Sequence, residues 1–236
     1  MSEAPWIRSK VWHEADLVVP GRRLRSTLPP RLARLRPTEL TLPPTGQTLV
    51  RARFDDPVAI GDLSFSELVL EAQVPWTNFD RGSFDSHAYW VSGGTLAKPG
   101  PVRLPWRLGR ALAAAEPLGL TMWGAANAFT PARDFAWRGL PFAAGHPVWL
   151  DYDRGVLAEP LALGGVELGP GTAVERDPDE AGLLEARLAA PTEVFGHSIP
   201  AGAVLVVRRH PAPHPVILVT SSERSTIQPD GTRAPA

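Results

Sequence analysis

The chain has 236 residues, 44% of them hydrophobic, and its 24 basic and 25 acidic side chains leave a formal net charge of -1. A balanced charge argues against nucleic acid or an anionic membrane as the main partner, because phosphate binding needs clustered positive charge. The absence of cysteine excludes disulfides, thiolate nucleophiles and cysteine-ligated metal sites.

Alternation of apolar and polar residues predicts strands along most of the chain. The 26 prolines and 21 glycines leave little room for long helices. The predicted elements, in chain order, are a short helical turn at 30–35, strands at 49–54 and 65–74, a helix at 108–116 that Pro117 ends, and buried strands at 203–208 and 215–220. Residues 221–236 are polar and interrupted by proline, which predicts a mobile tail.

A spaced glycine pattern recurs three times in the second half of the chain. The copies are Gly139-x-x-Phe142-x-x-Gly145-x-x-Val148, Gly165-x-x-Leu168-x-x-Gly171-x-x-Val174 and Gly196-x-x-Ile199-x-x-Gly202-x-x-Leu205. Glycine accepts the positive φ of tight turns, so the pattern predicts stacked β-hairpins that bury one apolar side chain between two turns. Residues 179–190 are rich in helix formers, but the alignment of the copies predicts a strand within them.

All eight tryptophans lie in the first 149 residues, which suggests two regions with different cores that meet near residue 130. We therefore predict a Trp-rich β region with short helices at 1–130, a β-hairpin repeat region at 131–220 packed on it in one compact unit, and the tail at 221–236. The predicted fold class is mainly β, α+β at most. It consists of large antiparallel sheets or a barrel-like sandwich, with repeated β-hairpins and one or two short helices.

Charged residues alternate along two neighbouring predicted strands. Arg51 and Arg53 share one face of the first strand, and Glu67 and Glu71 share one face of the second. If the strands pair, an Arg–Glu cluster forms across them. Such a cluster is usually a solvated ladder that adds a few tenths of a kcal/mol per pair. If the same face lines a cavity, its charges would hold a substrate carboxylate.

Signals for catalysis, cofactors and metals are weak. His210 and His214 have the i, i+4 spacing of helical metal ligands, but the prolines around them forbid that helix. Asp85-Ser86-His87 holds the residue types of a hydrolase triad, but neighbours in sequence seldom face one another. No phosphate-cradling loop is present. We predict no cofactor and no metal, and the catalytic residues are unknown.

Several short segments resemble the acetoacetate decarboxylase-like superfamily. They are Leu17-Val18-Val19-Pro20, Leu24-Arg25-Ser26-Thr27-Leu28-Pro29-Pro30, Ser66-Glu67-Leu68-Val69-Leu70, and 111–129 with Trp123-Gly124. The resemblance covers about the first 130 residues and implies a β-rich fold around a pocket for small carbonyl compounds. Family decarboxylases form a Schiff base on a lysine after the Trp-Gly pair. Here Asn127 and Ala128 occupy those places, and the chain's lysines, Lys10 and Lys98, lie elsewhere, so Schiff-base chemistry is not expected there.

Two functional hypotheses follow. The first is a β-rich pocket protein, catalytic or not, that takes a small organic acid or ketone with Arg53, Glu67, Trp123 and Asn127 as ligand-binding candidates. The second is a non-catalytic β-hairpin repeat module that mediates contact with another protein or with identical subunits, since open strand edges invite association. No run is apolar over the roughly 18 to 20 residues that span a bilayer, and the first residues lack the layout of a secretion signal. A cytoplasmic protein is therefore the default expectation.

Overall fold

The computed structural model describes residues 6–7, 13–19, 22–28, 37–41, 49–72, 89–105, 109–121, 124–177, 180, 182–220 and 224–235. The chain divides into two compact units, Met1–Phe129 and Thr130–Ala236. The predicted mainly-β class is confirmed, and the large sheets are antiparallel. Within the described ranges no helix has the length and apolarity needed to cross a bilayer.

Eleven strands of the first unit are described. They are β1 Trp6–Ile7, β2 His13–Val19, β3 Arg22–Leu28, β4 Glu39–Thr41, β5 Leu49–Ile60, β6 Leu63–Ala72, β7 Tyr89–Leu96, β8 Gly100–Arg103, β9 Arg110–Ala113, β10 Pro117–Leu120 and β11 Ala126–Phe129. The main sheet has the order β11-β10-β7-β6-β5-β4, and β1 also pairs with β7. Two further pairs, β2-β3 and β8-β9, form separate hairpins.

The strands predicted around Arg51 and Glu67 are confirmed as β5 and β6. Ala52 and Phe54 of β5 are buried while Arg51 and Arg53 are exposed, and β6 buries Leu68. Alternating burial is what a strand with one solvated face produces.

The helix predicted at 108–116 is wrong. The described residues of this segment form β9 and the start of the turn into β10. β9 pairs with β8 in the register Val102↔Ala111. Burial alternates along β9, so Ala111 and Ala113 enter the core from one face of a strand. A helix of nine residues is marginal by itself, and pairing with β8 outweighs its propensity. The helical turn predicted at 30–35 lies outside the described residues.

Fourteen strands form the described part of the second unit. They are β12 Phe135–Trp137, β13 Leu140–Phe142, β14 Val148–Trp149, β15 Gly155–Val156, β16 Leu161–Leu163, β17 Val166–Leu168, β18 Ala173–Arg176, β19 Leu183–Arg187, β20 Thr192–Val194, β21 His197–Ile199, β22 Val204–Arg208, β23 Val216–Val219, β24 Arg224–Ile227 and β25 Arg233–Pro235. One sheet has the order β15-β18-β19-β22-β23-β24-β25. A 3-10 turn, Leu150–Tyr152, joins β14 to β15.

The three glycine patterns form three hairpins of the same shape, β12-β13, β16-β17 and β20-β21. Each has a two-residue turn in which both residues have positive φ, at Arg138-Gly139, Gly164-Gly165 and Phe195-Gly196. Positive φ at both positions marks the turn type whose twist matches that of paired strands. The second glycine of each copy donates its N–H to a carbonyl fourteen residues earlier: Gly145 to Pro131, Gly171 to Leu157 and Gly202 to Leu188, all at 2.8 Å.

The repeat core is filled by equivalent positions of the three copies. Phe142, Leu168 and Ile199 are at most 2% exposed. Residues 179–190 contain β19, a strand as the repeat alignment predicts, in place of the helix that composition alone would favour. Tertiary pairing with β18 and β22 decides this segment.

The mobile tail predicted at 221–236 is wrong for its described residues. Strands β24 and β25 extend the seven-stranded sheet beyond β23, and Ile227 is fully buried. In the turn between them Thr232 donates its backbone N–H at 2.9 Å and its hydroxyl at 2.7 Å to Asp230 Oδ1. These bonds lower the pKa of the Asp230 carboxyl. The segment is polar because its alternate residues face solvent, so polarity there indicates an outer strand and not a tail.

Candidate functional site

The first candidate site is the row of charged residues on β4, β5 and β6. Glu39, Arg53 and Glu67 lie directly opposite one another across these strands. Arg51 Nη1 lies 3.1 Å from Glu67 Oε1, which confirms the predicted Arg–Glu cluster. The Arg51 side chain is 61% exposed and that of Glu67 is 28% exposed, so water screens the pair.

Two shallow depressions flank Arg53. The larger, of about 370 Å³, is lined by Thr38, Glu39, Arg53 and Asp55. The other, of about 310 Å³, shares Arg53 and Asp55 with the first. Its remaining lining includes Ser66, Glu67 and Thr95. Three carboxylates lie around Arg53, and Arg51 pairs with one of them, Glu67. Three acidic side chains against two arginines leave an excess negative charge, which opposes capture of an organic acid. The arrangement favours a solvated ladder on the sheet surface.

The remaining candidates do not join this cluster in the described residues. Asn127 lies half-buried on β11 and lines neither depression. Gly119 on β10 leaves room for it, since a β-carbon there would lie 2.8 Å from Asn127 Oδ1. Trp123 falls outside the described residues. Lys98 is exposed beyond the end of β7.

Removing the Arg51 side chain is expected to change the free energy of unfolding by no more than about 0.5 kcal/mol, because an exposed ion pair contributes little. Urea denaturation of Arg51→Ala beside the unsubstituted chain measures this. A loss of several kcal/mol would mean that the charged row on β4, β5 and β6 is buried in solution. It would then support a ligand pocket at that row.

The histidines do not form a metal centre in the described part of the chain, where no group of three or more metal-binding side chains occurs. The rings of His210 and His214 lie 5.7 Å apart, edge to face. Ala212 donates its N–H to His210 Nδ1 at 3.1 Å, so the neutral ring carries its own proton on Nε2 and offers no free lone pair. Gly164 anchors both ends of this loop through its N–H and its carbonyl.

A buried ion cluster, which the sequence analysis missed, closes the first repeat. Asp153 is fully buried in a left-handed backbone conformation after the 3-10 turn. Its carboxylate accepts from Trp137 Nε1 at 2.9 Å and from Arg209 Nη1 at 2.6 Å, and Arg138 Nη1 lies 3.6 Å away. Every partner lies within the second unit and the charge of Asp153 is compensated, so removing one partner would leave a buried charge without compensation.

One face of the seven-stranded sheet is partly exposed. Ala173, Glu185 and Arg187 are exposed there. Val204, Ile217 and Val219 are half-buried, and Val206 is 7% exposed. Eight side chains form two cross-strand rows on β18, β19, β22 and β23: Ala173–Arg187–Val204–Val219, and Glu175–Glu185–Val206–Ile217. We call these eight residues the two-row face. Its β22 and β23 half is entirely aliphatic, whereas its β18 and β19 half carries two glutamates and an arginine.

A cleft of about 380 Å³ opens at the charged end of this face. Its walls include His146, Trp149, Arg154 and Arg187. The Arg154 guanidinium stacks on the Trp149 ring at 4.5 Å, and its Nε lies 3.6 Å from Glu175 Oε2. Glu185, opposite Glu175, has no ion-pair partner among the described residues. Arg154 offsets the charge of Glu175, which leaves Glu185 as the carboxylate of this end with which an external cation would pair.

The outer strands of both sheets are short. β4 and β25 have three residues each, β15 has two, and β25 contains Pro235. Short edge strands and proline oppose pairing of one sheet with another. Contact with a partner chain through open strand edges, as the repeat-module hypothesis supposed, is therefore disfavoured. Comparison with protein-family models, curated proteins and solved structures finds no match for this chain.

Proposed function

We propose that the protein is a non-catalytic β-hairpin repeat module that contacts another protein chain through the two-row face. The observation that carries this proposal is the aliphatic half of that face, on the adjacent strands β22 and β23. Val204, Ile217 and Val219 are half-buried there, beside Val206, which is 7% exposed. Contiguous apolar side chains on an otherwise charged surface are typical of a contact with protein. The hairpins bury Phe142, Leu168 and Ile199 at their centres, which favours a packed core over a substrate cavity at these positions.

The alternative, a pocket for a small organic acid or ketone at Arg53 and Glu67, has weaker support. Both side chains do line one depression. However, Glu39 and Asp55 join Glu67 around Arg53 and oppose an anionic ligand. The superfamily resemblance remains a sequence-based expectation without the lysine that its chemistry requires.

Photo-crosslinking tests the proposed contact surface. We expect a photo-reactive benzoylphenylalanine in place of Ile217 to form adducts with a protein chain, of the same or another sequence, in purified protein or in whole-cell extract. The same group in place of Glu193, an exposed residue of the third hairpin, should form none. Val206→Lys, which places a charge in the aliphatic half, should abolish the adduct at 217.

Equal adducts from both positions, or none from 217, would contradict the proposal. Circular dichroism and urea denaturation of each variant show whether the fold is retained. If Val206→Lys unfolds the chain, the test is repeated with Val219→Lys, which places the charge at the end of the same patch.

A further inference from the structure

We infer that the partner of the two-row face is a second copy of this chain, bound face to face about a two-fold axis. The inference rests on the proposed function, because it names the partner of the same surface. It is drawn from the order of charges and aliphatic side chains along the two rows.

The two rows are complementary to each other and not to themselves. On β19 the first row carries Arg187 and the second row carries Glu185. On β22 and β23 both rows carry branched aliphatic side chains, Val204 and Val219 in one and Val206 and Ile217 in the other. A surface of this kind matches its own copy only when the rows exchange places.

A two-fold axis that lies parallel to the sheet, crosses the strands and runs midway between the rows makes that exchange. It places Arg187 of each copy against Glu185 of the other, and repeats this contact by symmetry. It also sets Val219 against Ile217, and Val204 against the small exposed part of Val206, so the half-buried aliphatic side chains cover each other. Sheets packed face to face lie about 10 Å apart, the distance at which such side chains interdigitate.

An in-plane axis that runs along the strands between β22 and β23, which would also bring the aliphatic halves together, is disfavoured. It would set Arg187 against Arg224, because Arg224 continues the same row on β24. Like charges across an interface cost several kcal/mol, so charge selects the first arrangement.

The predicted contact is small. Four strands at about 4.8 Å spacing span about 19 Å, and twist makes aligned sheets diverge away from the centre of the contact. An interface limited to four strands and two rows of side chains belongs to the class of weak, transient interfaces. We therefore expect dimers that form in the micromolar range and dissociate on dilution.

Charge reversal gives a test with an internal rescue. Sedimentation velocity of the full-length chain, from about 1 to about 300 µM, should show a reversible monomer–dimer equilibrium. Glu185→Arg and Arg187→Glu should each weaken dimerisation by at least about 100-fold, because each places like charges at both symmetry-related contacts. An equimolar mixture of the two variants should dimerise again, because two arginines of one chain then face two glutamates of the other.

The double variant E185R/R187E should also dimerise, since it exchanges the rows without changing their complementarity. Glu167→Arg, an equal charge change on the second hairpin, is the matched control and should leave the dimer intact. Circular dichroism of each variant shows that the fold is retained.

Each outcome decides the inference. A wild-type chain that stays monomeric, single reversals without effect, or a mixture that fails to associate would each overturn it. Adducts of Ile217 variants with a different protein, together with a monomeric chain, would leave the proposed function standing and remove only the second copy as its partner. Absence of both adducts and dimers would remove both.

Discussion

Replacing Arg209 by methionine is expected to lower the free energy of unfolding by about 3 to 5 kcal/mol, the usual result of removing one partner of a buried ion pair. Arg209 Nη1 lies 2.6 Å from the carboxylate of Asp153, which is 1% exposed. Methionine keeps much of the stem volume but leaves the carboxylate without its nearest cation. Urea denaturation followed by tryptophan fluorescence measures the change, since Trp137 donates to the same carboxylate.

The adjacent residue offers a matched control. Arg208 Nη2 pairs with Glu180 at 3.7 Å, and both side chains are more than half exposed. Arg208→Met should therefore cost no more than about 1 kcal/mol. Similar losses for the two variants would contradict the assignment of Asp153 as a buried, clamped charge.

Asp153→Asn examines the same cluster from the other side. Asparagine tolerates the left-handed backbone and still accepts from Trp137, so the variant removes the charge and little else. It should also be destabilised, because Arg209 is then left partly buried without a counter-ion.

Gly94→Ala is expected to lower the free energy of unfolding by about 3 kcal/mol or more, through overpacking and backbone strain together. A β-carbon at Gly94 would lie 2.1 Å from the Glu67 carbonyl oxygen, and φ there is +155°. β7 lies between β6 and β10 in the sheet, so the clashing atom belongs to a paired backbone that cannot move aside. Gly93 is equally confined, with its β-carbon position 2.3 Å from Leu118 O.

Gly169→Ala is the control, because a β-carbon there meets nothing within 4 Å. Its effect should stay within about 0.5 kcal/mol of zero. Urea denaturation, combined with hydrogen exchange of the β6 and β7 amides, localises any loss to the first unit. A Gly94→Ala variant as stable as the control would mean that β6 and β7 are not paired in this register.

The two-row face and the Asp153 cluster lie where the copies of the repeat differ. The first copy returns from β14 to β15 through a short turn closed by Asp153, whereas the second copy uses the longer strands β18 and β19. The longer strands supply Glu175, Glu185 and Arg187, the charged half of the face. The residues inserted between the second and third copies therefore build the surface for which we propose a function.

Much of the repeat could be predicted from the sequence because its determinants are local. Gly139, Gly165 and Gly196 mark positions where a left-handed backbone is needed, and that need is set by the turn alone. The same reasoning placed a strand at 183–187 against helix propensity. The helix at 108–116 was predicted from residue pattern alone, because no repeat signalled that β8 would pair with the segment.

The sequence by itself determined the β class, the three hairpins and the face on which Arg53 and Glu67 lie, since periodicity and turn chemistry act over a few residues. Only the tertiary structure decided that Arg209 pairs with Asp153, 56 residues earlier, and that Glu39 and Glu67 flank Arg53. Strand register likewise aligned Arg187 and Glu185 with the aliphatic residues of β22 and β23. Contacts of this kind depend on which strands become neighbours, and that choice depends on the packing of the whole unit, which local periodicity does not encode.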